Sequence, residues 1–392
     1  MRIPLNRRDG PADVSPMKAA MPEKNRANDA GGGRLPSLDG LRAVSILLVI
    51  LAHVDTMPDT PLPLARHWDI GAVGVDVFFA ISGFLITTLL LREHVRTGTI
   101  SLGGFYARRT LRILPPFLAY VGVLALLQQL GLVHLVPRDW IAALTYTVNF
   151  FDGISVPLGH LWSLSVEEHF YLVWPLVFLL CGIRRAGCIA LVCLLVEPII
   201  RWCCHRYAGN VIDIDYATFT RLDAIAAGCL LAIVAHRAGG ALPSRALRWM
   251  ERHPAAFFTV GVSMLLVSVL VLSHSGKYVS LARHGVNAIA LCMIIWTTTR
   301  VPTMWCGRVL NWSPLAWLGR LSYSLYLWQQ VFLDSGNSQR WMCRFPQNLL
   351  LALAAAIASH YLIERPLLRL RHRHSPAEPH GRPLPAAAFQ PS

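Results

Sequence analysis

The chain has 392 residues, 54% of them hydrophobic and only 15% charged, with a formal net charge of +14 and a mean hydropathy of +0.45. A soluble domain of this size carries roughly a quarter of its residues as charge, so a water-facing surface is excluded for most of the molecule. The positive charge does not indicate nucleic acid, because the basic residues cluster in the segments between apolar runs, as in a protein that sits in a lipid bilayer.

Residues 1–36 are polar and rich in Gly, Pro, Ala and charge, the composition of a disordered segment. No secretory leader pattern precedes the first apolar run, which then acts as an uncleaved span. Ten apolar runs follow, at 38–54, 73–91, 111–130, 161–181, 188–200, 217–235, 255–273, 281–299, 315–333 and 348–363. Each is long enough, or nearly so, to cross a bilayer as a helix, the run at 188–200 being the shortest. The expectation is an all-α polytopic membrane protein of about ten transmembrane helices occupying residues 37–366, followed by a short basic tail, 367–392. With the N-terminus placed in the cytoplasm, the inner segments hold 25 Lys plus Arg and the outer ones 8. That asymmetry predicts both termini inside. Cys203, Cys204 and Cys343 then fall in outer loops, where a disulfide is one option. The other cysteines on apolar runs read as small hydrophobes.

Ionisable side chains in apolar runs are costly and mark functional candidates. In the first run Arg42 and His53 stand eleven residues apart. At about 100° per residue they return to within roughly 20° of one helix face, about 16 Å apart along the axis. Asp39, one turn before Arg42, is placed to pair with it. The competing reading makes Arg42 a topology anchor and His53 an interfacial residue. The second run carries Asp76 near its outer end, with Ser82 and Gly83 as small residues that admit a neighbouring helix. Before the third run stand Arg108, Arg109 and Arg112, forks suited to phosphate oxygens or, alternatively, to lipid headgroups. His160, Ser163 and Glu167 form a polar stripe at i, i+3 and i+7, with Glu168 beside it. Two adjacent carboxylates at a membrane boundary resist explanation by packing. Arg221 and Asp223 in the sixth run serve either function or interhelical pairing. No P-loop, dinucleotide fingerprint, metal-ligand cluster or G-x-S-x-G elbow occurs.

Seven segments in this order resemble the acyltransferase type 3 family of membrane-bound O-acyltransferases. They are SLDGLRAVSILLVILAHV (37–54), GVDVFFAISGFLIT (74–87), FYARRTLRILPPF (105–117), HLWSLSVEEHFYLVWP (160–175), RLDAIAAGCLLA (221–232), LGRLSYSLYLWQ (318–329) and YLIERP (361–366). The family's Arg-x10-His pattern falls on Arg42 and His53, and its Arg-x-x-Arg pattern on Arg109 and Arg112. Two positions depart from it. His169 stands where similar proteins carry Gln, and Gln329 where they carry His.

The resemblance implies transfer of an acyl group, usually acetyl, from acyl-CoA to a hydroxyl of a carbohydrate or glycan precursor at the bacterial cytoplasmic membrane, with no permanently bound cofactor. In that reading Arg109 and Arg112 bind the polyanionic donor, Arg42 holds the donor or balances developing charge, and His53 is the general base, oriented by Glu167. Asp39, Asp76, Ser82, His160, Glu168, Arg221 and Asp223 are expected as substrate-binding or structural polar groups. The alternative is a secondary transporter or flippase-like protein using the same charges as a relay, although no paired inverted halves are visible. A non-catalytic subunit of polysaccharide assembly is a third reading.

Overall fold

The computed structural model describes residues 37–57, 68–208, 214–237, 245–271, 283–337 and 339–373, together with 35 and 60. The expected disordered segment 1–36, apart from Leu35, and the tail beyond 373 lie outside the described residues. Among those described the secondary structure is helical and no strand occurs.

In chain order the helices are α1 (Leu38–Asp55), α2 (Ile70–Thr97), α3 (Leu102–Gln129), the short α4 (Pro137–Leu144) and α5 (Val156–Gly159), α6 (Leu161–Cys203), α7 (Asp223–Arg237), α8 (Arg245–Arg252), α9 (Pro254–Leu270), α10 (His284–Arg300), α11 (Trp305–Leu310), α12 (Ser313–Phe332), α13 (Gln347–Ser359) and α14 (Arg365–Arg373). Among the described residues, each of the ten apolar runs overlaps a helix. By length and composition four stretches are sufficient to cross a membrane: Ile70–Thr97, Leu102–Gln129, Val156–Tyr207 and Gln347–Arg369. Helix α9 is a shorter apolar one.

Three boundaries differ from the expectation. The runs at 161–181 and 188–200 join in α6, interrupted only at Gly182, whose φ of 74° breaks the helical path. That backbone region is open to glycine at little cost, which explains why the interruption sits there. The run beginning at 217 becomes helical only from Asp223, after a turn of 3-10 helix at Thr218–Thr220. At the C-terminal end the helical path passes through a π turn, His360–Glu364, and continues to Arg373, seven residues into the segment read as a tail.

The core is a cluster of α1, α2, α7 and α12 joined at glycines. A Cβ on Gly83 would sit 2.0 Å from the Ile225 carbonyl oxygen, and one on Gly228 would sit 2.2 Å from that of Ala80, so α2 and α7 touch backbone to backbone. Helices α1 and α12 meet the same way, where a Cβ on Gly319 would lie 1.7 Å from the Asp39 carbonyl oxygen. Such close approach is how apolar helices gain packing when lipid removes the hydrophobic incentive to associate. Helix α6 completes the cluster through Trp174, whose indole N–H donates to Thr87 Oγ1 at 2.9 Å.

The start of α1 is pinned. Ser37, in the left-handed region at φ 65°, donates from its hydroxyl to the Thr298 carbonyl at 2.9 Å, and its N–H donates to Asn311 Oδ1 at 2.9 Å. This anchor sets where Arg42 and His53 point. Ser101 caps α3 by accepting from Gly104 N at 3.2 Å, which puts Arg109 and Arg112 on successive turns just ahead of Pro115 and Pro116.

Candidate active site

Helices α1, α2, α6 and α12 contribute to two cavities stacked along their axes; α3 closes the first, and the segments carrying Asp215, Tyr216, Arg221 and Arg283 close the second. The first, of about 70 Å³, is lined by Arg42, Ser82, Arg109, Arg112, Ser163, Glu167, Tyr171 and Tyr326, with Phe78 and Phe79 as apolar wall. The second, of about 880 Å³, is lined by His53, His160, Arg221, Arg283, Asp69, Asp215 and the aromatic rings of Trp68, Trp162, Tyr216 and Tyr326. The order is the same on each helix. On α1 Arg42 faces the first cavity and His53 the second; on α2 Ser82 faces the first and Val75 the second. At the start of α6 His160 and Trp162 face the second, Ser163 and Glu167 the first.

The first cavity is cationic and internally braced. Tyr171 donates to Ser82 Oγ at 2.9 Å, and Ser82 in turn donates to Glu167 Oε1. The Arg109 guanidinium lies 3.6 Å above the Tyr171 ring, a cation–π stack that leaves its fork free to turn toward a ligand. Arg108 points elsewhere, into an ion pair with Glu93 at 3.1 Å, so the pair sharing this cavity is Arg109 with Arg112. Arg42 is 4.0 Å from Asp39, a loose pairing that leaves the guanidinium available.

The second cavity is different in kind. His53 Nδ1, both ring nitrogens of His160 and both amide atoms of Gln329 are buried without a hydrogen-bond partner among the described residues. His53 and His160 both line this cavity. Buried polar atoms are nearly always paired, so a cluster of unpaired ones marks a place where something else binds.

The sequence-derived candidates divide accordingly. Arg42, Ser82, Arg109, Arg112 and Glu167 gather around the first cavity, and His53, His160 and Arg221 around the second. Glu167 does not orient His53: it accepts from Ser82 and lines the arginine cavity, because the i to i+7 stripe crosses from one cavity to the other along α6. Asp76 touches neither cavity. It holds Arg221 at 2.9 Å and accepts from Asn287 Nδ2 at 2.9 Å, with His284 Nδ1 at 3.5 Å. Asp223 is likewise a brace, 3.0 Å from Arg201. Arg201, expected in an outer loop, is 1% exposed on α6 and also donates to the Thr220 carbonyl at 2.8 Å. Glu197 one turn earlier accepts from Leu222 N at 2.5 Å, so the i, i+4 pair of Glu197 and Arg201 was the available signal. Asp39 and Glu168 lie outside both cavity walls, Glu168 behind Arg109. His169 packs away from them, 2.7 Å from Thr218 Oγ1 and stacked on Phe150. Cys203, Cys204 and Cys343 are free thiols, as are the other six.

Apolar helices thus close around two cavities lined by charged and imidazole side chains. The chain belongs to the acyltransferase type 3 family: the family model, described as an acyltransferase domain, matches residues 35–363. The chain is 30% identical over 368 residues to YrhL of Bacillus subtilis (strain 168), whose name assigns it provisionally to peptidoglycan O-acetylation; the match covers 85% of this chain and 55% of that protein. It is 31% identical over 361 residues to the O-acetyltransferase OatA of Staphylococcus aureus (strain NCTC 8325 / PS 47), covering 85% of this chain and 57% of OatA. The chain thus spans little more than half the length of these relatives. No solved structure matches it significantly.

Proposed function

We propose that this protein transfers an acetyl group from acetyl-CoA, held at the arginine cavity, to a hydroxyl of a glycan or glycan precursor held at the histidine cavity. The observation that carries the reading is the stacking of a cationic cavity, to which α3 brings Arg109 and Arg112, on an imidazole cavity along the shared helices α1, α2, α6 and α12. CoA brings phosphates, for which Arg109 and Arg112 supply forked donors. The first cavity has room for a few water molecules at most, which suits a two-carbon acyl group better than a long chain. The second cavity combines aromatic rings with carboxylates and guanidiniums, the mixture that recognises a hydroxyl-rich ring with apolar faces. A peptidoglycan-type sugar is the acceptor class that the name of YrhL suggests.

In this mechanism His53 takes the acceptor hydroxyl proton as the oxygen attacks the thioester carbonyl. Arg42, which lines the arginine cavity, is placed to hold the donor there. The carbon–sulfur bond then breaks and CoA leaves.

The same reading places ten spans in the cytoplasmic membrane with both termini inside, so that the arginine end faces cytoplasmic CoA. A cysteine introduced at Ser375 and labelled only after the membrane is permeabilised supports that orientation; labelling from outside intact cells overturns it.

The direct test is purified full-length protein incubated with acetyl-CoA labelled in the acetyl group and a soluble glycan fragment. Label appearing as an ester on the glycan supports the proposal. A transporter yields no ester and no free CoA.

A further inference from the structure

Tyr326 is the residue shared by the two cavity walls. Its hydroxyl is 2.5 Å from Ser163 Oγ, on the first cavity, and donates at 2.7 Å to the His160 carbonyl, beside the second. Its ring meets Phe78 edge-on at 6.2 Å and His160 at 5.3 Å. The side chain therefore fills the junction and is held at its tip by one hydroxyl and one carbonyl. Neither contact is an ion pair, and a phenol ring needs only a side-chain rotation to leave such a place.

Resting on the donor and acceptor assignments above, we infer that Tyr326 is a positioning residue: a closed partition between the cavities that must turn aside for the acyl group to meet the acceptor. In the productive step the acceptor oxygen bonds the acyl carbon, its proton passes to His53, the carbon–sulfur bond breaks, and the CoA sulfur leaves with the electron pair and is protonated. With the partition shut and no acceptor present, water in the larger cavity cannot reach the thioester. Without the partition it can: water oxygen bonds the acyl carbon, the same carbon–sulfur bond breaks, and free acetate and CoA thiol are released. Tyr326 thus protects the donor against hydrolysis until an acceptor arrives, as closure of an active site commonly does.

The test compares wild type, Tyr326→Ala and Tyr326→Phe as purified full-length proteins in lipid vesicles. Acetate release from acetyl-CoA without acceptor should rise at least about tenfold in Tyr326→Ala, and by a smaller factor in Tyr326→Phe, which keeps the ring but loses both hydrogen bonds. A second readout is independent of catalysis. Ser322 lines the arginine cavity, and the thiol of Ser322→Cys should resist a membrane-impermeant reagent applied from the His53 side. It should react when Tyr326→Ala or Tyr326→Phe is added, with modification followed on the peptide carrying position 322. Unchanged acetate release in both variants, or equal modification of that peptide with and without the Tyr326 side chain, overturns the partition. If wild type neither binds acetyl-CoA nor esterifies the glycan, the functional reading fails, while the thiol labelling still decides the partition.

Discussion

The two cavities share α1, α2, α6 and α12, with α3 added at the first, and they hold most of their polar side chains differently. Around the first, Tyr171, Ser82 and Glu167 form a closed relay of hydrogen bonds, and Arg109 rests on the Tyr171 ring. Around the second, His53 and His160 keep ring nitrogens without a hydrogen-bond partner among the described residues. Holding a polyanion requires cations set in advance, since charges braced before binding lose little freedom when the ligand arrives. Accepting a proton requires an imidazole nitrogen left open. In the proposed reading the first is the wall for binding and the second the wall for chemistry. Glu167, chemically the obvious partner for a histidine, accepts from Ser82 and lines the first cavity instead.

The largest effect is expected at the Asp76 brace of Arg221, which lines the second cavity. Asp76→Ala leaves Arg221, 2% exposed, without its carboxylate. Removing one partner of a buried ion pair costs about 3–5 kcal/mol. Protein levels in the membrane and the midpoint of thermal aggregation should both drop; wild-type values would mean that the pair carries no structural role. Next comes the chemistry wall. His53→Ala should lower acetyl transfer by at least about a hundredfold, the contribution of a general base, with insertion unaffected. Wild-type activity should decline as pH falls, because a protonated imidazole cannot accept the hydroxyl proton. A flat acidic limb would place the base elsewhere.

A smaller effect belongs to the binding wall. Arg109→Ala or Arg112→Ala should weaken acetyl-CoA binding about tenfold or more, the scale of one charge-assisted hydrogen bond of about 1.5–3 kcal/mol. Lys at either position should restore only part of it, since an ammonium lacks the fork. Normal CoA titrations for both alanine variants would reduce the pair to membrane anchors. The smallest effect is expected at Gly103, where an added Cβ meets nothing within 4 Å. Gly103→Ala should match wild type in level and turnover, in contrast to Gly83→Ala, whose Cβ would drive into the Ile225 carbonyl oxygen. Overpacking of that kind costs about 1–3 kcal/mol.

Much of this was legible in the chain, for physical reasons. Apolar runs become helices because backbone groups in lipid must bond within their own segment, so each run announced its helix. The eleven-residue spacing put Arg42 and His53 on one face because the helix period carries the face along with it. What the chain could not announce was which helix lies opposite. The Gly83–Ile225 and Gly319–Asp39 contacts decide that α7 packs on α2 and α12 on α1, and a small residue says only that some neighbour comes close. For the same reason the stripe of His160, Ser163 and Glu167 read as one surface, although it crosses from one cavity to the other. Tyr326 drew no attention, being one aromatic in an apolar helix. Its i, i+3 relation to Tyr323, which donates to the Ile113 carbonyl at 2.8 Å, was the local sign of an inward polar face on α12. Arg201 read as a loop cation because its carboxylate, Asp223, lies on another helix.

The division of labour between the walls is tested most directly by measuring acetyl-CoA binding and acetyl transfer side by side in His53→Gln and Arg109→Ala, at matched amounts of purified protein. An amide hydrogen-bonds but does not take up a proton at the pH of the reaction. The account predicts that His53→Gln binds acetyl-CoA like wild type and transfers nothing even at saturating donor, whereas Arg109→Ala binds weakly and recovers transfer as donor saturates. Near-normal turnover by His53→Gln, or equal loss of donor binding in both variants, would contradict it.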